Sequence, residues 1–301
     1  MGLAGVKTAW QRQTRHFGHD RSQYSVLIVD NRGVGESDRP FCRYTTSSMA
    51  LDYLEVLTHL SWVSPDWSVS PPSSPPSRGL HLVGISLGGM IAQEVAYRIP
   101  SHLTSLSLLC TAASVENTKS WLETARERVN MFIPKSMEAT IANTARNLFT
   151  EPWMYAPDDT SLPSPARTPR CGPAPGTPDG EYLPFDNNFQ RFQAQELHKK
   201  LAPSRFSTTG LMLQLGAAAL HNKSPAQLAE IGDGIGRERI LVVHGSRDLM
   251  IDPMLGDRLV ERLQPGRTEI VEGMGHAPIM ERAEWMNEVL EEHFKACEAS
   301  E

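Results

Sequence analysis

Three side chains have the types and the chain order needed to open an acyl compound: Ser86, Asp248 and His276. Ser86 sits in Gly84-Ile85-Ser86-Leu87-Gly88, after the apolar run Leu80-His81-Leu82-Val83 and before a helical stretch that starts at Met90 and stops at Pro100. A Gly-x-Ser-x-Gly string alone arises by chance; lying between a buried strand and a helix gives it meaning. A sharp strand-to-helix turn strains the serine backbone, and glycines two residues to either side remove side chains that would collide. The serine then lies at a helix N-terminus, whose free N–H groups favour developing negative charge.

A serine hydroxyl is a poor nucleophile near neutral pH and needs a base. Of the ten histidines, His276 alone lies on a glycine-rich loop, Glu272-Gly273-Met274-Gly275-His276, between the last strand and the last helix. An imidazole in that role needs a carboxylate to set its tautomer. Asp248 follows a strand in His244-Gly245-Ser246-Arg247-Asp248, and Asp252 is its rival. The strand at 103–110 leads into Cys110-Thr111-Ala112-Ala113, with no acid at once after it, which favours Asp248.

These residues need a scaffold. Apolar, β-branched runs predict strands at 25–30, 80–83, 103–110, 239–244 and 268–271. Helical spacing predicts helices at 47–60, 90–98 and 279–296. Strands alternating with helices imply an α/β fold with a mostly parallel sheet flanked by helices. Between about 115 and 220 the strands stop, and helices are expected at 118–132, 136–149, 186–200 and 206–220. The expected division is therefore a first core part at 1–114, a helical cap at 115–220 with a Pro/Gly-rich insertion at 156–184, and a second core part at 221–301. The Pro/Ser-rich segment 64–79 and residues 156–184 lack hydrophobic periodicity.

With these motifs in view, the chain resembles the α/β-hydrolase superfamily, in its branch of cofactor-independent serine esterases and related enzymes. The blocks that carry the likeness are Met1–Gly5, Asp30–Asp38, Gly84–Gly89 and Gly245–His276. The order Ser, Asp, His is the superfamily's order. The resemblance makes Asp30-Asn31-Arg32-Gly33-Val34-Gly35-Glu36-Ser37 a structural loop. It makes Met1-Gly2-Leu3 a version of the His-Gly loop that supplies one oxyanion-hole N–H, that of Leu3; the other is expected from Leu87, after the nucleophile. In the superfamily a central strand feeds this loop and two strands precede it. The chain starts at the loop, so those N-terminal strands are expected to be missing and their neighbours to carry unpaired backbone groups.

The expected reaction is hydrolysis of an ester or thioester of a small, largely apolar substrate through an acyl-enzyme on Ser86. Met131, Phe132, Phe149, Trp153, Met154, Phe192, Met212 and Leu213 either line an apolar pocket or pack the cap on the core. Acyl transfer to an alcohol and C–C bond hydrolysis would use the same triad. The rival from another class is a non-catalytic binding protein of the same fold, or an inactive truncated hydrolase. A net charge of −6 with no long basic run argues against nucleic-acid partners. Four cysteines without CxxC spacing argue against a metal or redox pair, and no metal or organic cofactor is expected. No apolar stretch reaches the roughly 18 residues of a membrane span, and no signal peptide is visible, so a cytoplasmic protein is expected.

Overall fold

The computed structural model describes residues 1–21, 23–65, 78–116, 136–160, 166, 184–202 and 205–300. Within them four strands form one parallel sheet in the order β1-β2-β3-β4: β1 Leu80–Ile85, β2 Leu103–Leu109, β3 Ile240–Gly245 and β4 Arg267–Val271. The register pairs Ile85 with Leu109, Leu109 with Val243, and Val243 with Glu269. Every residue of β2 and β3 is buried, as expected of strands covered on both faces.

The two-residue period of the strands sorts their side chains between two apolar layers. Leu106, Leu108, Ile240 and Val242 face one layer. There they meet α1 (Thr46–His59), α2 (Leu87–Arg98), α7 (Pro225–Ile235) and α8 (Pro253–Leu263), through residues such as Leu54, Ile91, Ile231 and Leu259. Leu109, Leu241 and Val243 face the other layer, with Met286, Leu290 and Phe294 of α10 (Ala283–Glu298) and with Trp10 and Phe17 from helical turns at 7–19. Between β2 and β3 the described chain is helical: α3 Met137–Leu148, α4 Glu151–Tyr155, α5 Asn188–Leu201 and α6 Thr208–Ala219. The helix expected at 118–132, with Met131 and Phe132, lies outside the described residues, as do most of 64–79 and 156–184.

The strand expected at 25–30 is a correction. These residues run as unpaired coil, with Val26 exposed. A strand is defined by its ladder, and here the ladder has no partner. Between Leu27–Val29 and β1 lies a cavity of about 720 Å³, so the side of β1 away from β2 carries no paired strand among the described residues.

Other differences are local. The helix expected from 90 begins at Leu87, directly after Ser86. The helix expected over 279–296 is broken at Arg282 into α9 (Pro278–Glu281) and α10. α7 and α8 were not among the expected helices. Their starts are written in Ser224-Pro225 and Asp252-Pro253, each an N-cap side chain followed by proline at the first helical position.

One ion pair ties the helical block together. The Asp158 side chain is buried and accepts from Arg191 Nε on α5 at 2.8 and 2.7 Å. Burial alone would raise its pKa, but the Arg191 and Thr160 hydrogen bonds win and hold it at about 2. A carboxylate depressed in the fold contributes stability above its unfolded pKa of about 3.9, and that contribution is lost as pH falls toward the folded value. Asp158→Asn is therefore expected to lower Tm at pH 6 and to flatten its fall between about pH 4 and 2, measured by thermal melts across that range.

Candidate active site

The turn after β1 is built as its glycines require. Ser86 has φ 55° and ψ −123°, a left-side backbone that a residue with a Cβ adopts only when its surroundings over-determine it. Several bonds do so. Ser86 N–H donates to Leu109 C=O at 2.9 Å, which extends the β1–β2 ladder by one residue. Ser86 C=O accepts from Gly89 N–H at 2.9 Å and Met90 N–H at 3.1 Å, which starts α2. It also accepts from the Thr111 hydroxyl at 2.7 Å.

The close approaches at the two glycines differ. A Cβ on Gly84 would lie 2.4 Å from Gly88 C=O and 2.8 Å from Ala92 Cβ. A Cβ on Gly88 would lie 2.7 Å from Met1 N, so this glycine makes room for the Met1–Gly5 loop rather than for the turn itself. Gly84→Ala is expected to cost about 1–3 kcal/mol through this overlap. The readout is a lower Tm together with slower labelling of Ser86; an unchanged Tm would contradict the close approach.

His276 and Asp248 meet. His276 Nδ1 lies 2.7 Å from Asp248 Oδ2, and both residues are buried. The carboxylate's other oxygen, Oδ1, accepts from the N–H groups of Met250 and Ile251, both at 2.8 Å. A second imidazole approaches Oδ2: His244 Nε2 is 3.3 Å away and also 3.0 Å from Ile251 C=O. A carbonyl only accepts, so His244 carries its proton on Nε2. Burial works against charge on Asp248, but the hydrogen bonds from His244 and His276 hold its pKa well below the usual carboxylate range. Asp248 is thus an anion with four donors around it.

Asp252 separates from Asp248. Its carboxylate accepts from Met254 N–H at 3.0 Å and caps α8.

The loop carrying His276 is fastened to the helical block. His276 N–H donates to Leu148 C=O at 2.8 Å. Buried Glu281 accepts from Gly275 N–H at 2.9 Å with one oxygen and from the Thr150 hydroxyl with the other. Cys110, after β2, is buried with its sulfur within 4.8 Å of the Asp248 oxygen and the His276 nitrogen. Since Cys110 follows the residue paired with Ile85, it stands beside Ser86 in the sheet and brings the serine turn to the imidazole. No hydrogen bond joins Ser86 Oγ to the ring in this conformation; such contacts are often long before substrate binds. Burial and the nearby Asp248 charge push the Cys110 thiol well above its ordinary pKa, so it stays protonated beside the pair.

The Met1–Gly5 loop lies over the serine. A Cβ on Gly2 would sit 3.3 Å from Ser86 Cβ and 3.7 Å from its Oγ. Leu3 and Leu87 flank this point, and neither N–H donates to another described residue. The Asp30 loop braces the arrangement, as a structural loop should. Asp30 accepts from Lys7 N–H at 2.6 Å and Glu36 N–H at 3.0 Å, Asn31 donates to Met1 C=O at 2.9 Å, and Arg32 pairs with Asp52.

Of the apolar residues named in the helical block, Phe149, Met154 and Phe192 pack with one another and with Ala277, next to His276, while Met212 is half exposed. Sequence reasoning missed His244, Cys110 and Glu281. His244 was visible as a histidine four residues before Asp248; the other two carry no local signal.

Comparison with known proteins agrees with this architecture. The chain is 27% identical over 112 residues to 3-oxoadipate enol-lactonase 2 of Acinetobacter baylyi, a match spanning 37% of this chain and 35% of that enzyme. A solved hydrolase from Pseudomonas aeruginosa superposes with a TM-score of 0.64 at 20% identity, covering 97% of this chain and 86% of that one. A thermophilic esterase from Thermogutta terrifontis gives a TM-score of 0.63 at 19% identity over the same shares. At these identities the structures speak for the fold. Since a model of the alpha/beta hydrolase family also matches residues 2–289, nearly the whole span from the Met1–Gly5 loop through α10, the chain belongs to the alpha/beta hydrolase family.

Proposed function

We propose that the protein is a serine hydrolase that cleaves esters or thioesters of small, largely apolar substrates. The observation that carries this reading is the buried Asp248–His276 hydrogen bond of 2.7 Å beside a strained serine at a helix N-terminus. Ser86 Oγ attacks the acyl carbon as His276 takes its proton. The oxyanion is met by the N–H groups of Leu3 and Leu87. His276 then protonates the leaving alcohol or thiol, water adds to the acyl-enzyme with His276 as base, and the acid departs. Asp248 holds the ring in the tautomer this needs. The helical block acts as a cap over the site, and lactones fall within the ester class it would admit. No step in this scheme calls for a metal or organic cofactor.

One observation favours a second reading, a non-catalytic binding protein of the same fold. Beside the cavity, the strand that leads into Ser86 has no ladder on one side among the described residues. A fluorophosphonate probe separates the two. Labelling of Ser86, located by peptide mass spectrometry, is expected; a folded protein that stays unlabelled would support the binding reading. Rates on p-nitrophenyl esters and matching thioesters of increasing acyl length would then define the substrate class. No described helix is long and apolar enough to cross a membrane.

A further inference from the structure

Ala4 follows Leu3, and its backbone is left-handed, with φ 52°. A residue with a Cβ pays for that conformation, so something must hold it. Two side chains from the helical block do. Ala4 N–H donates to Gln214 Oε1 of α6 at 2.9 Å, and Ala4 C=O accepts from Lys199 Nζ of α5 at 3.2 Å. Both backbone groups of the strained residue are therefore engaged by the helical block.

Gln214 is fully buried, and its other end is used as well: its amide nitrogen donates to Arg32 C=O at 2.8 Å. An N–H only donates and a carbonyl only accepts, so the amide orientation is unambiguous. Lys199 is also buried and pairs with Glu196 on its own helix. From the Asp30 loop, Asn31 donates to Met1 C=O at 2.9 Å. The loop is thus clamped between the helical block and the Asp30 loop, with the Leu3 N–H in the middle and free to donate.

We propose that Gln214, assisted by Lys199, is a positioning residue that aims the Leu3 N–H at the reacting carbonyl. This rests on the reading of Leu3 as an oxyanion donor given above. Without the clamp, Ala4 relaxes toward right-handed backbone and the Leu3 peptide turns away from Ser86. Transition-state stabilisation is then coupled to the seating of α5 and α6.

The test uses the full chain with p-nitrophenyl acetate. Gln214→Met keeps the side-chain length and removes both hydrogen bonds. It should lower kcat by roughly 10- to 100-fold, less than outright deletion of an oxyanion donor, with KM within about twofold. Lys199→Met should act in the same direction and carries the test if Gln214→Met does not fold. Ala4→Gly added to either variant should recover most of the lost kcat, because glycine takes the left-handed conformation without strain. A purely structural role predicts otherwise: a lower Tm, a wild-type kcat for the folded fraction and no rescue. A labelled wild type whose variants keep kcat, or are not rescued by Ala4→Gly, overturns the proposal alone. A wild type whose Ser86 resists the fluorophosphonate probe overturns the serine-hydrolase reading and the proposal with it.

Discussion

Ser86→Ala should abolish ester turnover, with kcat falling by about 10³-fold or more. Alanine deletes the oxygen that forms the acyl-enzyme and little else. The positive-φ backbone is retained, since its bonds to Leu109, Gly89, Met90 and Thr111 all use main-chain atoms of residue 86. Tm should therefore hardly move, which separates loss of chemistry from loss of fold. The residual rate would come from water activated by His276 and from any N–H donors that still meet the oxyanion. Initial rates on p-nitrophenyl esters, with loss of fluorophosphonate labelling, make the measurement. A Ser86→Ala protein that turns over at the wild-type rate would remove the serine from the mechanism.

Asp248→Asn is expected to be nearly as damaging, by about 10³- to 10⁴-fold in kcat, and the geometry says why. Oδ1 accepts two main-chain N–H groups at 2.8 Å, so an asparagine there must place its carbonyl oxygen at that position. Its NH₂ group then occupies the Oδ2 position, 2.7 Å from His276 Nδ1 and 3.3 Å from His244 Nε2. The ring can meet that donor only by giving up its Nδ1 proton. It then carries its proton on Nε2 and cannot accept another there as a neutral base. Turnover should be lost while fold and substrate binding persist. Because raising pH favours a deprotonated serine in the variant, some activity should return at high pH; a full pH–rate profile of wild type and variant checks this. A variant with wild-type kcat would show that Asp248 does not set the tautomer.

Much of this arrangement was legible along the chain. The apolar runs at 80–83, 103–110, 239–244 and 268–271 became the four strands within a residue or two. Gly84-x-Ser86-x-Gly88 became the strained turn, and the contact between Asp248 and His276 followed from their places after consecutive strands. The run at 25–30 misled, because composition reports burial and β-propensity but not whether a neighbour exists to pair with. Residues 253–263 were passed over in the other direction: the Asp252-Pro253 start and the apolar positions Leu255, Leu259 and Leu263 mark a helix that was not among those expected.

The sequence by itself determined what depends on neighbours along the chain: strand and helix periods, the glycines of the serine turn, and the order in which Ser86, Asp248 and His276 arrive at the strand ends. Only the tertiary structure decided what depends on contacts across the chain. Gln214 meets Ala4 over 210 residues of separation, and Glu281 meets Thr150 over 131. A hydrogen bond between distant residues leaves no period or spacing in the sequence, because it is set by how the helices pack and not by how the chain is written. The residues that hold the surroundings of Ser86 in shape, Gln214 and Glu281 among them, are the ones only the fold supplied.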